Sequence, residues 1–283
     1  MPEGDVVWYT ARRLHEALAG RTLTRSDFRV PRLATADLTG DVVTETLSRG
    51  KHLLTRTENG LTVHTHLRMD GTWRVRPAAE RIPDSHRIRL LLANEEWQAI
   101  GYQLGVVELV RTSEESRVVG HLGPDLLGPD WDCAEAVRRL SAEPDRPIGE
   151  ALLDQRNLAG IGNVYKAEVL FLRGLSPWQP VGGVAGLGAV ADLARRLLEA
   201  NKERHGHVTT GSMRRGEENW VYGRQGRPCR RCGTRVRSAG QQDRITFWCP
   251  SCQPGVDPAS ERQLPGSGAP DRGRSPYGRA APS

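Results

Sequence analysis

The stretch LLDQRNLAGIGNVYKAE, residues 152–168, decides how the middle of this 283-residue chain folds. It ends one helical pattern, IGEALLDQ, and begins the next, VYKAEVLFLRG. Gly160 and Gly162 permit a tight turn whose backbone N–H groups face outward, and the positive end of the following helix points the same way. We expect this turn to hold a phosphate, with the amide of Asn163 reaching a second oxygen. An ordinary packing turn between two helices is the alternative.

Helical patterns continue on both sides of this turn. Apolar residues recur with helical spacing in CAEAVRRLSA (133–142) and in VAGLGAVADLARRLLEANKERHG (184–206), in addition to the two helices named above. Four helices with short connections predict a helical domain at residues 132–220.

The residues before this domain show a shorter period. Runs rich in β-branched and apolar residues are separated by NG, DG and NEE turn signals; they are LLTRT, LTVHTHL, TWRVR, RIRLLLA and GVVELV. Ahead of them, VVWYTARRLHEALA places Val7, Leu14 and Leu18 on one face of a helix that Gly20 ends. We predict an antiparallel β-sandwich with a packed N-terminal helix at residues 1–125, and GPDLLGPDWD (123–132) as the linker to the helices.

Four of the five cysteines follow the helices as two CxxC pairs separated by 16 residues. This spacing is typical of a tetrahedral zinc site in which each CxxC turn offers two thiolates; the residues are Cys229, Cys232, Cys249 and Cys252. Six arginines surround them against a single acid, Asp243, which suits contact with phosphate. We predict a β-hairpin zinc finger at residues 221–253, with a purely structural zinc ribbon as the alternative. The fifth cysteine, Cys133, is expected to pack as a small apolar residue.

These parts predict the α+β class: a β-sandwich, a helical domain and a zinc finger. Residues 254–283 are rich in Pro, Gly, Ser and Arg, so we predict a disordered tail. No apolar run approaches the roughly 20 residues that cross a bilayer, and the acidic start lacks a secretory pattern. The protein is therefore expected to be soluble and intracellular. A net charge of +6 and a pI near 9.4 suit a polyanionic partner.

Only three of the 40 basic residues are lysines, and Lys51 in SRGKHLL (48–54) is the first of them. Unlike arginine, a lysine whose pKa is lowered by burial can release a proton near neutral pH. A solvated lysine on an edge strand is the alternative. In HLRMDG (66–71) a hairpin tip is predicted to expose Arg68 and Met69, which could wedge between bases, although such a methionine is more often part of a core.

The chain starts with MPEGD. Met1 precedes a small residue and is expected to be trimmed, which would leave the secondary amine of Pro2 beside the carboxylate of Glu3. The alternative is that Pro2 simply starts a turn.

Together these motifs resemble, in the same order from residue 1 to about 253, the formamidopyrimidine-DNA glycosylase / endonuclease VIII family. The quoted segments that carry the resemblance are MPEGD, SRGKHLL, HLRMDG, LLDQRNLAGIGNVYKAE and VYGRQGRPCRRCG…RITFWCPSC. The resemblance implies a β-sandwich, a helix-two-turn-helix domain and a zinc finger with one structural Zn²⁺. It also implies a bifunctional DNA glycosylase and abasic-site lyase of base excision repair, acting as a monomer on damaged double-stranded DNA in the bacterial cytoplasm, at the nucleoid.

The resemblance also implies roles for individual residues. Pro2 is the nucleophile that attacks C1′ of the damaged nucleotide, Glu3 donates a proton to the deoxyribose, and Lys51 contacts phosphate and aids β,δ-elimination. Asn163 and Arg244 are similar to residues that bind the phosphates flanking the lesion. Arg244 is also expected to be one of the catalytic residues. Met69, next to Arg68, corresponds to a residue that fills the void left by the flipped base.

Two departures from the family bear on the substrate. YQLG (102–105) stands where formamidopyrimidine glycosylases usually carry RRFG, so Gln103 and Leu104 occupy the places of the void-filling Arg and Phe. Only about ten residues, Gly211 to Trp220, replace the long loop that closes over 8-oxoguanine. Both features resemble the endonuclease VIII branch and predict a preference for oxidised pyrimidines, with weak activity on 8-oxoguanine. An abasic-site lyase with little glycosylase activity and a non-catalytic zinc-finger DNA-binding protein are the alternatives.

Overall fold

A computed structural model describes residues 2–204 and 206–256 of the chain. Met1 and residues 257–283, which hold most of the predicted tail, lie outside the described residues. Within the described ranges, no helix combines the length and the apolar character that crossing a membrane requires.

Two antiparallel sheets make up the N-terminal part of the chain. Their strands are β1 (Arg21–Thr22), β2 (Arg25–Phe28), β3 (Val42–Arg49), β4 (His52–Thr57), β5 (Leu61–His66), β6 (Thr72–Pro77), β7 (Ile88–Ala93), β8 (Trp97–Tyr102) and β9 (Val106–Arg111). One sheet has the order β1-β3-β4-β5-β9 and the other the order β2-β7-β8-β6. The two sheets share one apolar core, to which the first contributes Val63 and the second Leu90. The predicted β-sandwich is therefore confirmed.

Helix α1 (Gly4–Leu18) packs on this sandwich. Val7, Leu14 and Leu18, the predicted apolar face, are buried in the same core as the two sheets. The helix begins two residues earlier than the pattern indicated, at the residue after Glu3. This early start ties the N-terminus of the chain to the core of the first domain.

Sequence reasoning missed β1, β2, β3 and β8. The strand β8 contains Ala99 and Gly101, residue types that are depleted in strands. It is a strand because β6 and β7 pair with it on both sides, and this tertiary context outweighs the local preference.

The helical part follows the sandwich. Its helices, together with a short one that precedes them, are α2 (Ser116–Val119), α3 (Cys133–Leu140), α4 (Ile148–Leu153), α5 (Asn163–Arg173) and α6 (Leu187–Asn201). Leu152, Tyr165 and Leu198 are fully buried in their common core. The last helix begins later than predicted because Gly186, with a φ of 77°, turns the chain immediately before it, and it ends at Asn201, before the end of the predicted pattern.

The segment GPDLLGPDWD is more than a linker. Leu126 is completely buried in the helical core. Asp125 is 2% exposed, and its Oδ2 accepts the N–H of Gly50 at 2.7 Å. The segment therefore fastens the sandwich to the helices next to the Lys51 turn.

Near the end of the described residues, β10 (Arg237–Gln241) and β11 (Arg244–Trp248) form an antiparallel hairpin. Phe171 of α5, Val221 and Cys249 share a buried cluster beneath it. The hairpin is therefore docked on the helix that begins with Asn163.

Candidate active site

The carboxylate of Glu3 lies at the centre of the site. Glu3 is completely buried. Its Oε2 accepts the N–H of Gly162 at 2.8 Å, and its Oε1 accepts the N–H of Val164 at 2.7 Å. Tyr165 also directs its N–H toward Oε2, at 3.4 Å. The first N–H groups of a helix have no partners within the helix and carry partial positive charge, so α5 clamps this carboxylate in one position.

The predicted phosphate cradle in the glycine turn is therefore wrong for these backbone groups. The N–H of Gly162 binds Glu3, and the N–H of Gly160 binds Oε1 of Gln155 at 3.0 Å. The carbonyl of Gly160 accepts the N–H of Gly4 at 2.8 Å. The turn binds an anion, as its geometry favours, but that anion belongs to the chain itself.

Both glycines of this turn are required by space or by backbone conformation. A Cβ on Gly162 would come within 2.4 Å of Cδ of Glu3. Gly160 has a φ of 103°, a conformation that residues with side chains rarely adopt. Gly162 is therefore the position at which a single methyl group would displace Glu3.

Lys51 follows a turn that is held by a buried carboxylate. Gly50 has a φ of 56°, and the Asp125 carboxylate holds its N–H. Burial lowers the pKa of Lys51; Glu3 and Asp5 act in the opposite direction, and Arg244 adds to the lowering. Release of a proton is thus easier for this lysine than for an exposed one.

A cleft of about 280 Å³ brings together Lys51, Asn163 and Arg244, three residues that the sequence placed far apart. Gly162 and Asp243 also line it. One residue comes from the sandwich, one from the start of α5 and one from the hairpin, so the cleft lies where the three parts of the chain meet.

Two side chains of α5 hold the hairpin in place at this cleft. Asn163 is 5% exposed and donates from Nδ2 to the carbonyl of Ile245 at 2.8 Å, while its buried Oδ1 has no partner among the described residues. One turn later, buried Lys166 donates from Nζ to Oγ1 of Thr246 at 2.6 Å. Burial lowers the pKa of Lys166 to about 7. The two contacts fix the strand that carries Arg244.

The tip of HLRMDG is exposed, as expected. Met69 is 54% exposed, and Arg68 adopts a φ of 54° while donating its N–H to Nδ1 of His66 at 2.9 Å. Nη1 of Arg244 lies 3.7 Å from Sδ of Met69, so the tip and the hairpin meet across the cleft. The roles of Arg68 and Met69 toward DNA remain predictions.

The structure corrects the expectation for Leu104. This residue is 6% exposed and packs in the sandwich core. Gln103, with a φ of 47°, turns the chain here, and its Oε1 accepts a hydrogen bond from Arg87. The turn directs the side chain of Leu104 into the core. Of Gln103 and Leu104, only Gln103 is therefore available at the surface.

Sequence reasoning missed a buried acid in the first turn of α1. Asp5 is 2% exposed, and its Oδ2 accepts from the hydroxyl of Tyr165 at 2.6 Å and from Nδ1 of His207 at 2.9 Å. Asp125 was missed in the same way. An acid in the first turn of a helix is common, so Asp5 offered no separate signal; the doubled GPD of GPDLLGPDWD was the one available hint for Asp125.

The four cysteines of the finger fit one structural Zn²⁺. Their sulfurs all lie within 4.8 Å of one another. Sγ atoms of Cys229 and Cys252 are 4.0 Å apart, and those of Cys232 and Cys249 are 3.5 Å apart. Tetrahedral zinc with bonds of about 2.3 Å requires sulfur separations of about 3.8 Å. The predicted zinc site is therefore confirmed, and the ion would hold the two turns that carry the hairpin.

Loss of one ligand should unfold the finger locally. We expect Cys249→Ser to lose stoichiometric zinc and to expose Trp248, because structural zinc supplies folding free energy directly. Zinc content by mass spectrometry and tryptophan fluorescence measure both effects. Cys133→Ser, the same exchange outside the cluster, is the control; equal zinc binding by Cys249→Ser would contradict the assignment.

Three family models match the chain in order. The formamidopyrimidine-DNA glycosylase N-terminal domain matches residues 1–101, and the formamidopyrimidine-DNA glycosylase H2TH domain matches residues 122–200. The zinc finger found in FPG and IleRS matches residues 226–255.

Curated relatives extend along nearly the whole chain. A probable endonuclease 8 2 of Streptomyces coelicolor is 58% identical over 266 residues, which cover 91% of this chain and 96% of that protein. A DNA-(apurinic or apyrimidinic site) lyase of Mycolicibacterium smegmatis is 49% identical, over 89% of this chain and 99% of that protein.

Solved structures share the fold. Formamidopyrimidine-DNA glycosylase of Lactococcus lactis, bound non-covalently to DNA that contains an abasic site, has a TM-score of 0.77 at 25% identity, covering 89% of this chain and all of that one. MutM in complex with DNA containing carbocyclic 8-oxo-G has a TM-score of 0.77 at 26% identity, covering 90% and 100%.

Proposed function

Because the chain belongs to the formamidopyrimidine-DNA glycosylase / endonuclease VIII family, we propose that it is a bifunctional DNA glycosylase and abasic-site lyase of base excision repair. One observation supports this proposal over the alternatives. The carboxylate next to Pro2 is clamped by α5, whose first residue, Asn163, lines a cleft shared with Lys51 and Arg244. A DNA-binding finger alone would not need this arrangement.

Pro2 supplies the nucleophile. Removal of Met1 frees a secondary amine, whose class has a reference pKa of roughly 8 and so retains a usable lone pair at neutral pH. The nitrogen forms a bond to C1′ as the damaged base leaves with the bonding electron pair. The amine then passes its proton to the carboxylate of Glu3, which delivers it to O4′ as the sugar ring opens. The product is an iminium that joins Pro2 to C1′.

The iminium drives strand cleavage. It withdraws electrons from C2′, so loss of a proton there breaks the bond between C3′ and its oxygen and expels the 3′ phosphate. A second proton loss, at C4′, expels the 5′ phosphate. Lys51, whose pKa is lowered by burial, can accept such a proton in its neutral form and bind phosphate in its charged form.

The cleft holds the DNA around this chemistry. Arg244 and the amide of Asn163 bind the phosphates that flank the lesion, and Met69 beside Arg68 fills the void left by the flipped nucleotide, with Gln103 at its edge. The proposal includes a monomer that acts on damaged double-stranded DNA at the bacterial nucleoid.

The preferred lesions are oxidised pyrimidines such as thymine glycol, dihydrouracil and 5-hydroxycytosine. Two features support this: Leu104 is buried rather than offered as a void filler, and only about ten residues, Gly211 to Trp220, stand in place of the long loop that closes over 8-oxoguanine. The short loop reduces the surface available to cover a large flipped purine, and the buried Leu104 departs from the void filler of the formamidopyrimidine glycosylases.

Single-turnover excision tests the substrate class. Duplexes that contain dihydrouracil should be cleaved at least about tenfold faster than matched duplexes with 8-oxoguanine, a difference of about 1.4 kcal/mol in transition-state binding. Equal rates on both lesions would overturn the preference while leaving the glycosylase assignment intact.

A lyase with little glycosylase activity is the second candidate. The buried Leu104 favours it, because weak support for the void would weaken base flipping but not attack on an abasic site. Cleavage of abasic DNA without release of dihydrouracil would select this candidate.

A further inference from the structure

Four of the eight histidines lie together next to the Lys51 turn, and none of the roles described above uses them. The ring of His52 stacks on His64 with centroids 5.0 Å apart. His66 meets the same ring edge-on at 4.8 Å, and His121 does so at 6.0 Å. The cluster stands on the adjacent strands β4 and β5, with His121 in the loop after α2.

A hydrogen-bonded chain runs through the cluster to an acid. Nδ1 of His64 lies 2.9 Å from Oε2 of Glu108, and Nε2 of His64 lies 2.8 Å from Nδ1 of His52. A carboxylate only accepts, so His64 carries its proton on Nδ1 and presents a lone pair at Nε2. His52 must then donate from Nδ1, which leaves Nε2 of a neutral His52 without a proton. The outer end of the chain is an acceptor that cannot bind phosphate.

His66 is arranged differently. Its Nδ1 accepts the N–H of Arg68 at 2.9 Å, so the proton of the neutral ring is on Nε2. His66 is a donor without any change of protonation. The two rings differ in a testable way, because only His52 needs a proton before it can donate from Nε2.

The surroundings keep His52 neutral in the free protein. Burial lowers its pKa to about 3, and His66, His64, His121 and Arg68 act in the same direction. For His66, burial, Arg68, Lys51 and His64 lower the pKa to about 4. Glu108 is the acid next to this series of hydrogen bonds. It contacts buried His64 and reaches His52 only through that ring. A phosphate brought next to Nε2 of His52 would act against this lowering, because an opposite charge favours the protonated form.

We propose that His52 binds a backbone phosphate of duplex DNA and takes up one proton when it does so, with His64 and Glu108 as positioning residues. This inference rests on the proposed DNA-repair function and adds to it a site that the mechanism does not contain. One proton adds to Nε2 of His52, which becomes a donor to a phosphate oxygen. The Nδ1 proton can then pass to Nε2 of His64, so that the positive charge lies beside the Glu108 carboxylate.

Proton-linked binding has a direct thermodynamic signature. Uptake of one proton weakens DNA binding by about tenfold per pH unit wherever free His52 is neutral and bound His52 is protonated. Free His52 is neutral from pH 6 to 8, so the affinity should fall as the pH rises toward the pKa of the bound histidine pair and should level off above it. The sign is opposite to that expected if a group released a proton on binding.

Calorimetry measures the proton directly. The full-length protein is titrated with a duplex that carries an uncleavable tetrahydrofuran abasic analogue, at pH 6.5, in buffers of different ionisation enthalpy. Wild-type protein should take up about one proton more per complex than His64→Leu, which breaks the chain. Glu108→Gln, which keeps a hydrogen-bond acceptor but removes the charge, should also take up less than wild type. His121→Gln, in an exposed ring, should take up as much as wild type.

The outcomes separate this inference from the function beneath it. The histidine relay is overturned if Glu108→Gln takes up as many protons as wild type and His64→Leu either does the same or does not fold. DNA binding in that experiment would still support the proposed function. Absence of binding to any damaged duplex overturns both. Loss of uptake in His52→Asn, together with normal uptake in His66→Gln, assigns the proton to His52.

Discussion

Gly162→Ala is expected to lower cleavage of damaged DNA by at least about a hundredfold, because the added methyl group would displace Glu3. The added methyl group would lie within 2.4 Å of Cδ of Glu3, and the backbone of α5 leaves it no room to move. Glu3 must then shift, and Pro2, one peptide bond away, must shift with it. A displacement of about 1 Å in a reacting group can produce a loss of this size.

The prediction has a matched control in the same chain. Gly240→Ala adds the same methyl group where nothing lies within 4 Å, so it should cleave like wild type. Single-turnover rates on an abasic duplex, together with circular dichroism and zinc content, separate loss of chemistry from loss of folding. A folded Gly162→Ala protein with wild-type rates would show that the clamp on Glu3 is irrelevant to the reaction.

Lys51 is expected to show the second large effect. Lys51→Met removes both the charge and the proton acceptor, and Lys51→Arg keeps only the charge because arginine does not deprotonate in proteins. Both should slow strand cleavage at abasic sites by about a hundredfold or more, the usual contribution of a positioned acid or base. Only Lys51→Met should also weaken DNA binding.

The pH dependence gives this prediction its sign. Burial lowers the pKa of Lys51, so the fraction of neutral amine increases as the pH rises through that value. The wild-type cleavage rate should rise with pH on this limb, and Lys51→Arg should lack the limb. Cleavage by Lys51→Arg at the wild-type rate and with the wild-type pH profile would mean that Lys51 contributes charge alone.

The local parts of the site could be predicted from sequence because their geometry is encoded within a few residues. Two CxxC pairs bring four sulfurs together through two tight turns, and the spacing of Val7, Leu14 and Leu18 forms one helix face. In both cases the pattern itself states which side chains will meet.

The remaining parts depended on contacts between distant segments. The clamp on Glu3 joins residues 159 positions apart, and the Asp125 contact that fixes the Lys51 turn joins residues 75 positions apart. The glycine turn illustrates the difficulty. Its sequence indicates that an anion binds at a helix N-terminus, but a phosphate and a buried carboxylate satisfy that end equally well. Only the fold shows that the carboxylate of Glu3 occupies the N-terminal end of α5.

The structure corrected the prediction for Leu104 for a related reason. Alignment with a family motif suggested a position in the void-filling segment, but the left-handed backbone at Gln103 turned the side chain into the core. Backbone conformation at a single residue is not visible in a motif.

Borohydride trapping tests the central claim, attack by the Pro2 amine, most directly, because the reagent fixes only an enzyme that forms an iminium with DNA. The purified protein and Pro2→Ala are each incubated with two duplexes, one holding an abasic site and one holding dihydrouracil. We expect a covalent complex with both duplexes for the wild type and its loss in Pro2→Ala. The absence of a wild-type complex with either duplex, or an undiminished complex in Pro2→Ala, would contradict the account.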